Sequence, residues 1–235
     1  GSGGNLGTDD GQGNAIYLID AETGALIWKA KQGTFSVLDN YNDATQTYPH
    51  PLLQDSIPSQ ISVLDTDGDG FADRFYVGDT GGRVWRGDLP GADRNSWTLT
   101  PIFSVGRHDD ATLAVTHDRR FFHRPDFVPT RSETGSYDAI LIASGDREDP
   151  TNLTTENYLY AFRDTDVSTG KDPADIILTE AQLVAASATH DDFEDITAQC
   201  IGGAACPDDT ALATGWKLKL AASGETGLST PLTLD

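Results

Sequence analysis

Short hydrophobic segments separated by polar turns dominate the sequence and predict a protein built from β-strands. These segments are rich in Val, Ile, Tyr, Trp and Phe, and glycine-containing turns separate several of them. Their length is typical of strands and too short for most helices. The predicted strands cover residues 14–20, 25–30, 61–65, 74–79, 83–89, 137–146, 156–164 and 215–221.

One segment carries a helical signal instead. In "TEAQLVAAS", Thr179 and Gln182 have the spacing of a capping box, and Leu183 and Val184 form a short apolar face. The pattern predicts a short helix around residues 179–187. The stretches 36–58 and 187–210 lack a clear period and are interpreted as loops.

A weak internal repeat refines the fold class. "YLIDAETGALIWKA" (17–30) and "YVGDTGGRVWRG" (76–87) share a strand, an Asp, a glycine-containing turn and a second strand with a Trp. Each unit is predicted to be a hairpin whose tryptophan, Trp28 or Trp85, packs against the neighbouring unit. Such repeated units favour a modified β-propeller. A β-sandwich is the alternative, but it does not explain the recurring Asp–Gly–Trp order.

Charge restricts the possible partners. The 235 residues include 37 acidic and 16 basic side chains, which give a net charge of −21. This balance argues against binding to nucleic acid, which needs clustered Lys and Arg, and against docking on anionic lipid. No segment approaches the ~18 consecutive apolar residues of a membrane span. The composition suits an exported protein or one that meets divalent cations.

The two ends of the sequence suggest a piece of a longer protein. The chain begins with Gly-Ser-Gly-Gly, contains no Met, and stops within a strand-like pattern at "STPLTLD". Residues 1–13 are interpreted as a flexible N-terminal segment or a cloning remnant. Residues 14–235 are interpreted as a propeller domain that lacks its last blade or blades.

The only two cysteines, Cys200 and Cys206, lie in "CIGGAAC". The small residues between them let the two sulfurs meet, and a disulfide closing about 7 residues would contribute roughly 2 kcal/mol. A zinc site would need a second Cys/His pair nearby. A disulfide, and with it an oxidising compartment, is the favoured hypothesis. Two free cytosolic thiols are the alternative.

The segment between the strands 61–65 and 74–79 is the strongest candidate site. Asp65, Asp67, Asp69 and Asp73 occupy positions 1, 3, 5 and 9 of a loop, with glycine at position 6 and the Phe71 carbonyl at position 7. This is the oxygen spacing of the first half of an EF-hand calcium loop. The flanking strands and the tyrosine at position 12 exclude a true EF-hand. A solvated acidic turn is the alternative.

The loop and its flanks resemble a known family. "SIPSQISVLDTDGDGFADRFYVGDTGGRVWRGDL" (56–89) is similar to the calcium-loop blade of the type IV pilus tip adhesins, the PilC/PilY family. Residues 14–30, 119–129, 140–150 and 215–235 are similar to that family in the same order. The resemblance thus extends in blocks over most of the chain. The calcium blade and "SGDREDP" carry it more specifically than the Trp repeat does.

The resemblance implies a function for the domain. It implies that the domain is the C-terminal modified propeller of a protein that is exported through the periplasm. That protein would lie at the pilus tip and cell surface, associated with the outer membrane. Such a domain supports pilus biogenesis, twitching motility and surface attachment, and it is not an enzyme. Its partners would be minor pilins or other pilus components and a host or abiotic surface. The family's Ca²⁺ ligands carry over to Asp65, Asp67, Asp69, Phe71 and Asp73.

Calcium would then act by locking the hairpin 61–79. Val63, Phe75 and Val77 are predicted to lie in the blade core, so that an empty loop would loosen one end of the hairpin.

The runner-up interpretation is an enzyme, because "AIYLIDAETGALIW" also resembles the repeat of quinone-dependent dehydrogenases. Absorbance of a bound quinone would distinguish the two. The five histidines are dispersed, and neither a G-x-S-x-G nor an H-E-x-x-H motif is present.

Overall fold

The computed structural model of the chain describes residues 10–34, 41–106, 115–132, 135–167, 171, 177–185, 214–220 and 224–233. Regular structure in these ranges consists of β-strands and short 3-10 turns, without an α-helix. The predicted all-β class is confirmed. A search of the described residues for a helix long and apolar enough to cross a membrane finds none.

The first two sheets follow the order of the chain. The first sheet contains β1 (Ala15–Ile19), β2 (Leu26–Gln32) and β3 (Thr47–His50), with β2 in the centre. The second sheet is an antiparallel meander, and its strands are β4 (Ser62–Leu64), β5 (Arg74–Gly78), β6 (Arg83–Asp88) and β7 (Thr98–Ser104).

The third sheet is a second meander with one late strand. It contains β8 (Asp126–Ser132), β9 (Gly135–Ala143), β10 (Tyr158–Asp164) and β13 (Gly215–Lys219). Two short strands, β11 (Leu178–Thr179) and β12 (Val184–Ala185), pair in parallel with β7 and β13 respectively. Residues 177–185, called the crossover segment below, therefore join the outer edges of the second and third sheets.

The second sheet is buried on both faces. On β5, Phe75 and Val77 pack into a cluster shared with the first sheet, whereas Tyr76 packs into a cluster shared with the third. Trp28 and Trp85 are fully buried in the first of these clusters, as the repeat predicts. Consecutive sheets packed face to face are the arrangement of propeller blades. The described sheets do not close into a ring.

The orientation of β4 differs from the sequence prediction. Val63 is not in the core: its side chain is 56% exposed, while its neighbours Ser62 and Leu64 are buried. Successive side chains in a strand point to opposite faces, so burying Leu64 turns Val63 outward. The Ser62 hydroxyl donates a hydrogen bond to the Pro125 carbonyl at 2.5 Å, which favours this orientation. Phe75 is buried as predicted.

The predicted helix around 179–187 is wrong. The segment forms a single 3-10 turn, Glu180–Gln182, between β11 and β12, and residues 186 and 187 lie outside the described part. The capping signal is real, because the Thr179 amide donates to the Gln182 side chain at 2.8 Å. The helix ends after one turn because the backbone on both sides pairs with a sheet.

The predicted division at residue 13 stays a prediction. Three of the described residues before the boundary, Asp10, Gln12 and Gly13, contact the region around residue 56. The Ser56 amide donates to the Asp10 carboxylate at 2.9 Å, and the Ile57 amide donates to the Gly13 carbonyl at 2.9 Å.

The turn between β5 and β6 contains a buried carboxyl group. Asp79 accepts hydrogen bonds from the Arg83 amide at 2.8 Å and from the Trp85 indole at 2.6 Å. Burial, followed by the nearby Asp55 carboxylate, raises the pKa of Asp79 to about 7 despite these bonds and the charge of Arg83. The aspartate of the repeat thus fixes its tryptophan in the second unit.

Replacing Asp79 by Asn should remove a pH-dependent loss of stability. The unfolded carboxyl ionises near 3.8 and the folded one near 7. The folded state therefore keeps the Asp79 proton up to a higher pH than the unfolded state does. Because of this group, the free energy of unfolding falls as pH rises between those two values. The free energy of unfolding of Asp79→Asn, minus that of the wild type, should increase by a few kcal/mol from pH 4 to pH 7, at about 1.4 kcal/mol per pKa unit. Urea denaturation at several pH values measures it, and a pH-independent difference would refute the assignment.

Candidate metal centre

The sheet fixes both ends of the loop 65–73. The loop connects β4 to β5, and the Asp73 amide donates to the Leu64 carbonyl at 2.9 Å. The Leu89 amide donates to the Asp73 carbonyl at 2.7 Å. Between these ends, Gly68 and Gly70 have φ values of 79° and 89°, a backbone region that favours glycine. The two glycines therefore allow the sharp turns that fold the aspartates toward one another.

Three of the predicted ligands converge. Carboxylate oxygens of Asp65, Asp67 and Asp73 lie within 4.8 Å of one another. Asp69 is not part of this group, and its carboxylate accepts a hydrogen bond from the Phe71 amide at 2.8 Å. The Phe71 side chain is 74% exposed and has little role in packing. The roles of Asp65, Asp67, Asp69, the Phe71 carbonyl and Asp73 as metal ligands all stay predictions.

Hydrogen bonds from the loop itself orient the carboxylates. Asp65 accepts from the Gly68 and Gly70 amides at 2.7 and 2.9 Å. Asp73 accepts from the Thr66 hydroxyl and amide at 2.6 and 2.7 Å, and these two bonds lower the pKa of Asp73. An oriented set of carboxylate oxygens is the ligand type that Ca²⁺ prefers. The residues present therefore fit a calcium ion.

The residue after Asp73 connects the loop to the third sheet. The Arg74 guanidinium is buried and binds Asp138 of β9 at 2.8 Å and Asp88 of β6 at 3.3 Å. Arg86, which is fully buried, binds Asp164 of β10 at 2.8 Å and Asp88 at 2.8 Å. The five side chains form a buried charge network between the second and third sheets.

A phenol group lies at the centre of this network. The Tyr76 hydroxyl is 2.8 Å from carboxylate oxygens of both Asp138 and Asp164. Burial, reinforced by these two carboxylates, raises the pKa of Tyr76, so the phenol remains protonated. The network is not apparent from the sequence because its members are separated by many residues along the chain. The only available signal was the charged residues Arg74, Arg86 and Asp88 within otherwise apolar strands.

The predicted disulfide lies outside the described residues. Cys200 and Cys206 both fall in a range whose placement is not described. The disulfide between them stays a prediction.

The chain is similar to proteins of type IV pili. No protein-family model matches it. A curated protein of Xylella fastidiosa strain Temecula1, a type IV pilus biogenesis factor PilY1 homolog, is 27% identical over 110 residues, which are 47% of this chain and 7% of that protein. The crystal structure of the Pseudomonas aeruginosa PilY1 C-terminal domain is similar with a TM-score of 0.52 and 20% identity. That alignment covers 73% of this chain and 35% of the solved chain.

These similarities define the class of the domain. The fold is that of a partial β-propeller, as predicted, and the described sheets are left open. The predicted resemblance to the PilC/PilY family is confirmed, and specifically to the PilY1 C-terminal domain. The relatives are pilus proteins rather than enzymes. The chain spans less than a tenth of the curated relative and about a third of the solved domain.

Proposed function

We propose that this chain is a calcium-binding propeller domain of a type IV pilus biogenesis factor and tip adhesin. The convergence of Asp65, Asp67 and Asp73 in a loop between two paired strands carries the calcium part of the proposal. The similarity to a type IV pilus biogenesis factor carries the pilus part. In this function the domain supports pilus biogenesis, twitching motility and surface attachment.

The location and the partners follow from the same function. The protein is exported through the periplasm to the pilus tip and cell surface, where it associates with the outer membrane. Its partners are minor pilins or other pilus components, and a host or abiotic surface. The net charge of −21 suits a domain that meets calcium outside the cytoplasm.

In the proposed site, Asp65, Asp67 and Asp73 supply carboxylate oxygens. Asp69 and the Phe71 carbonyl complete the ligand set, as the spacing of the loop predicts. Because these carboxylates lie close together, they repel one another without a cation. One pair at ~4 Å costs on the order of 1 kcal/mol even in a water-like dielectric. Calcium bound there neutralises this repulsion and supplies a second link between the two ends of the loop.

Calcium acts on pilus function by locking the hairpin of β4 and β5. Asp73 is joined to Arg74, and Arg74 binds Asp138 in the third sheet. Loosening of the loop end therefore reaches the contact between two blades. This is a local order–disorder change whose effect extends through Arg74 to the third sheet.

Substitutions at Asp73 test the proposed function in the full-length protein. Asp73→Ala should reduce twitching motility and surface attachment at a fixed calcium concentration. Asp73→Lys should behave closer to the wild type, because an ammonium group neutralises the neighbouring carboxylates. Asp43→Ala, an exposed aspartate in the turn before β3, is the matched control and should leave both unchanged.

The two variants also separate charge from geometry. If Asp73→Lys is as defective as Asp73→Ala, coordination geometry rather than charge neutralisation controls function. If neither variant differs from Asp43→Ala in either assay, the loop has no role in pilus function.

A further inference from the structure

A polar pocket is lined by residues of the crossover segment and of the second and third sheets. It has a volume of about 410 Å³, and its lining includes Arg119, Glu156, Tyr158, Glu180 and Lys217. None of these residues belongs to the loop 65–73 or to the buried charge network. A volume of several hundred Å³ with a few convergent polar groups is typical of a ligand site.

The guanidinium of Arg119, which lines this pocket, is held in a fixed orientation. The Arg119 side chain is 2% exposed, and its Nε donates to the Glu156 carbonyl at 2.8 Å. Its guanidinium carbon lies 4.6 Å from the centre of the Tyr158 ring. Neither contact involves Glu180, so the orientation does not depend on the crossover segment. The group is therefore prepared to bind a carboxylate with little loss of conformational entropy.

Glu180 is the carboxylate that this group binds in the structure. One oxygen of Glu180 pairs with Arg119, and the other pairs with the Lys217 ammonium at 2.8 Å. Lys217 also lies 5.7 Å from the Tyr158 ring centre. Two cations thus share one carboxylate, and the three groups carry a net charge of +1.

This local excess of positive charge contrasts with the chain as a whole, which carries −21. The other acidic side chain of the lining, Glu156, has its own partner at the rim, because Lys219 binds its carboxylate at 2.6 Å. The positive charge of Arg119 and Lys217 is therefore only partly compensated by Glu180, beside a cavity large enough for a second anionic group.

We propose that this pocket binds a carboxylate group from outside the chain, with Arg119 and Lys217 as its ligands and Glu180 as a built-in competitor. Guanidinium and carboxylate match as a bidentate pair, which favours a planar carboxylate over a tetrahedral anion. Glu180 lies on a single 3-10 turn between two strands of two residues each. An external carboxylate would displace the Glu180 carboxylate from Arg119 and Lys217. The source is an acidic side chain of a partner protein or a small free carboxylate.

Titrations with defined probes, followed by amide chemical shifts in nuclear magnetic resonance, test the proposal. The probes are acetate, inorganic phosphate and N-acetyl-aspartate amide, added at constant ionic strength. Glu180→Gln removes the competitor and raises the net charge of the group to +2, so acetate should bind about tenfold more tightly than to the wild type. Lys217→Gln should weaken binding by a similar factor. Lys31→Gln, an exposed lysine of β2, makes the same charge change far from the pocket and should have no effect.

The outcomes are separable. Acetate binding to Glu180→Gln that is no tighter than to the wild type overturns the proposal, as does a Lys217→Gln variant that behaves like Lys31→Gln. Phosphate binding as tight as acetate binding overturns the carboxylate assignment. Both main variants are checked for a wild-type thermal transition, and Lys217→Gln alone decides if Glu180→Gln fails to fold. Tighter binding of the aspartate probe than of acetate supports a partner protein as the source, and equal binding supports a free carboxylate.

Discussion

Replacing Arg86 by alanine is expected to destabilise the domain by about 3–5 kcal/mol, because it removes one partner of a buried ion pair. Arg86 is fully buried, and its guanidinium binds Asp164 in the third sheet and Asp88 in its own strand. Without it, Asp88 and Asp138 keep the guanidinium of Arg74, whereas the buried carboxylate of Asp164 loses its ion-pair partner. The contact between the two sheets should weaken with the network. Urea denaturation of the wild type and the variant measures the loss.

A matched control separates this effect from the loss of any arginine. Arg131 lies at an exposed position of β8, and Arg131→Ala should change the free energy of unfolding by less than about 0.5 kcal/mol. Replacing both Arg86 and Asp164 with apolar residues of similar size should be less damaging than Arg86→Ala, because no unpaired charge then remains at Asp164. A loss below about 1 kcal/mol for Arg86→Ala would show that the network contributes little to the contact between sheets.

Calcium is expected to stabilise the domain against heat and denaturant. A ligand that binds only the folded state adds about 2.7 kcal/mol at a concentration one hundred times its dissociation constant. The stabilisation comes from the carboxylates of Asp65, Asp67 and Asp73, whose mutual repulsion the ion removes. Magnesium should stabilise less, because it demands stricter octahedral geometry and gives up its water reluctantly.

Variants of the loop make this prediction specific. Asp73→Ala should abolish the calcium-dependent shift of the thermal midpoint, whereas Asp43→Ala should retain it in full. Removal of calcium with EGTA should return the wild type to the stability it has without the ion. A midpoint that is the same with calcium and with EGTA would show that the loop is an acidic turn and not a metal site.

Local patterns predicted the hairpins and most of the candidate site. The repeated Asp–Gly–Trp units form the hairpins β1–β2 and β5–β6, because a glycine turn and two short apolar strands determine that structure within a few residues. The same holds for the loop 65–73, where position along the loop decides which side chains can meet. Asp65, Asp67 and Asp73 converge for this reason, although Asp69, in the same spacing, is outside the converging group.

Proline concealed three strands from the sequence analysis. Residues Pro49, Pro101 and Pro129 lie within β3, β7 and β8, none of which was predicted, and β3 falls in the predicted loop 36–58. Proline lacks an amide hydrogen, so it is tolerated only at sheet edges and bulges. Pro49 and Pro129 are on edge strands, and Pro101 pairs with Trp85 at a shift of register. The position of each strand within its sheet, which a local pattern does not give, explains why proline is tolerated there.

Contacts between distant parts of the chain explain the remaining differences. The side of β4 that faces the core depends on the hydrogen bond from Ser62 to Pro125, and hydrophobicity alone favoured Val63. The segment predicted as a helix at 179–187 forms the crossover segment instead, because its backbone pairs with the edge strands of two sheets. Neither Pro125 nor the two sheet edges lie close enough in the sequence to be recognised from a local pattern.

Isothermal titration of calcium into the wild-type domain, Asp73→Ala and Asp43→Ala decides whether the loop 65–73 binds the ion. We expect one calcium ion bound per wild-type chain, the same binding in Asp43→Ala, and no saturable heat in Asp73→Ala. An absence of binding to the folded wild type, or an isotherm of Asp73→Ala that superimposes on that of the wild type, would contradict a calcium site formed by the loop 65–73.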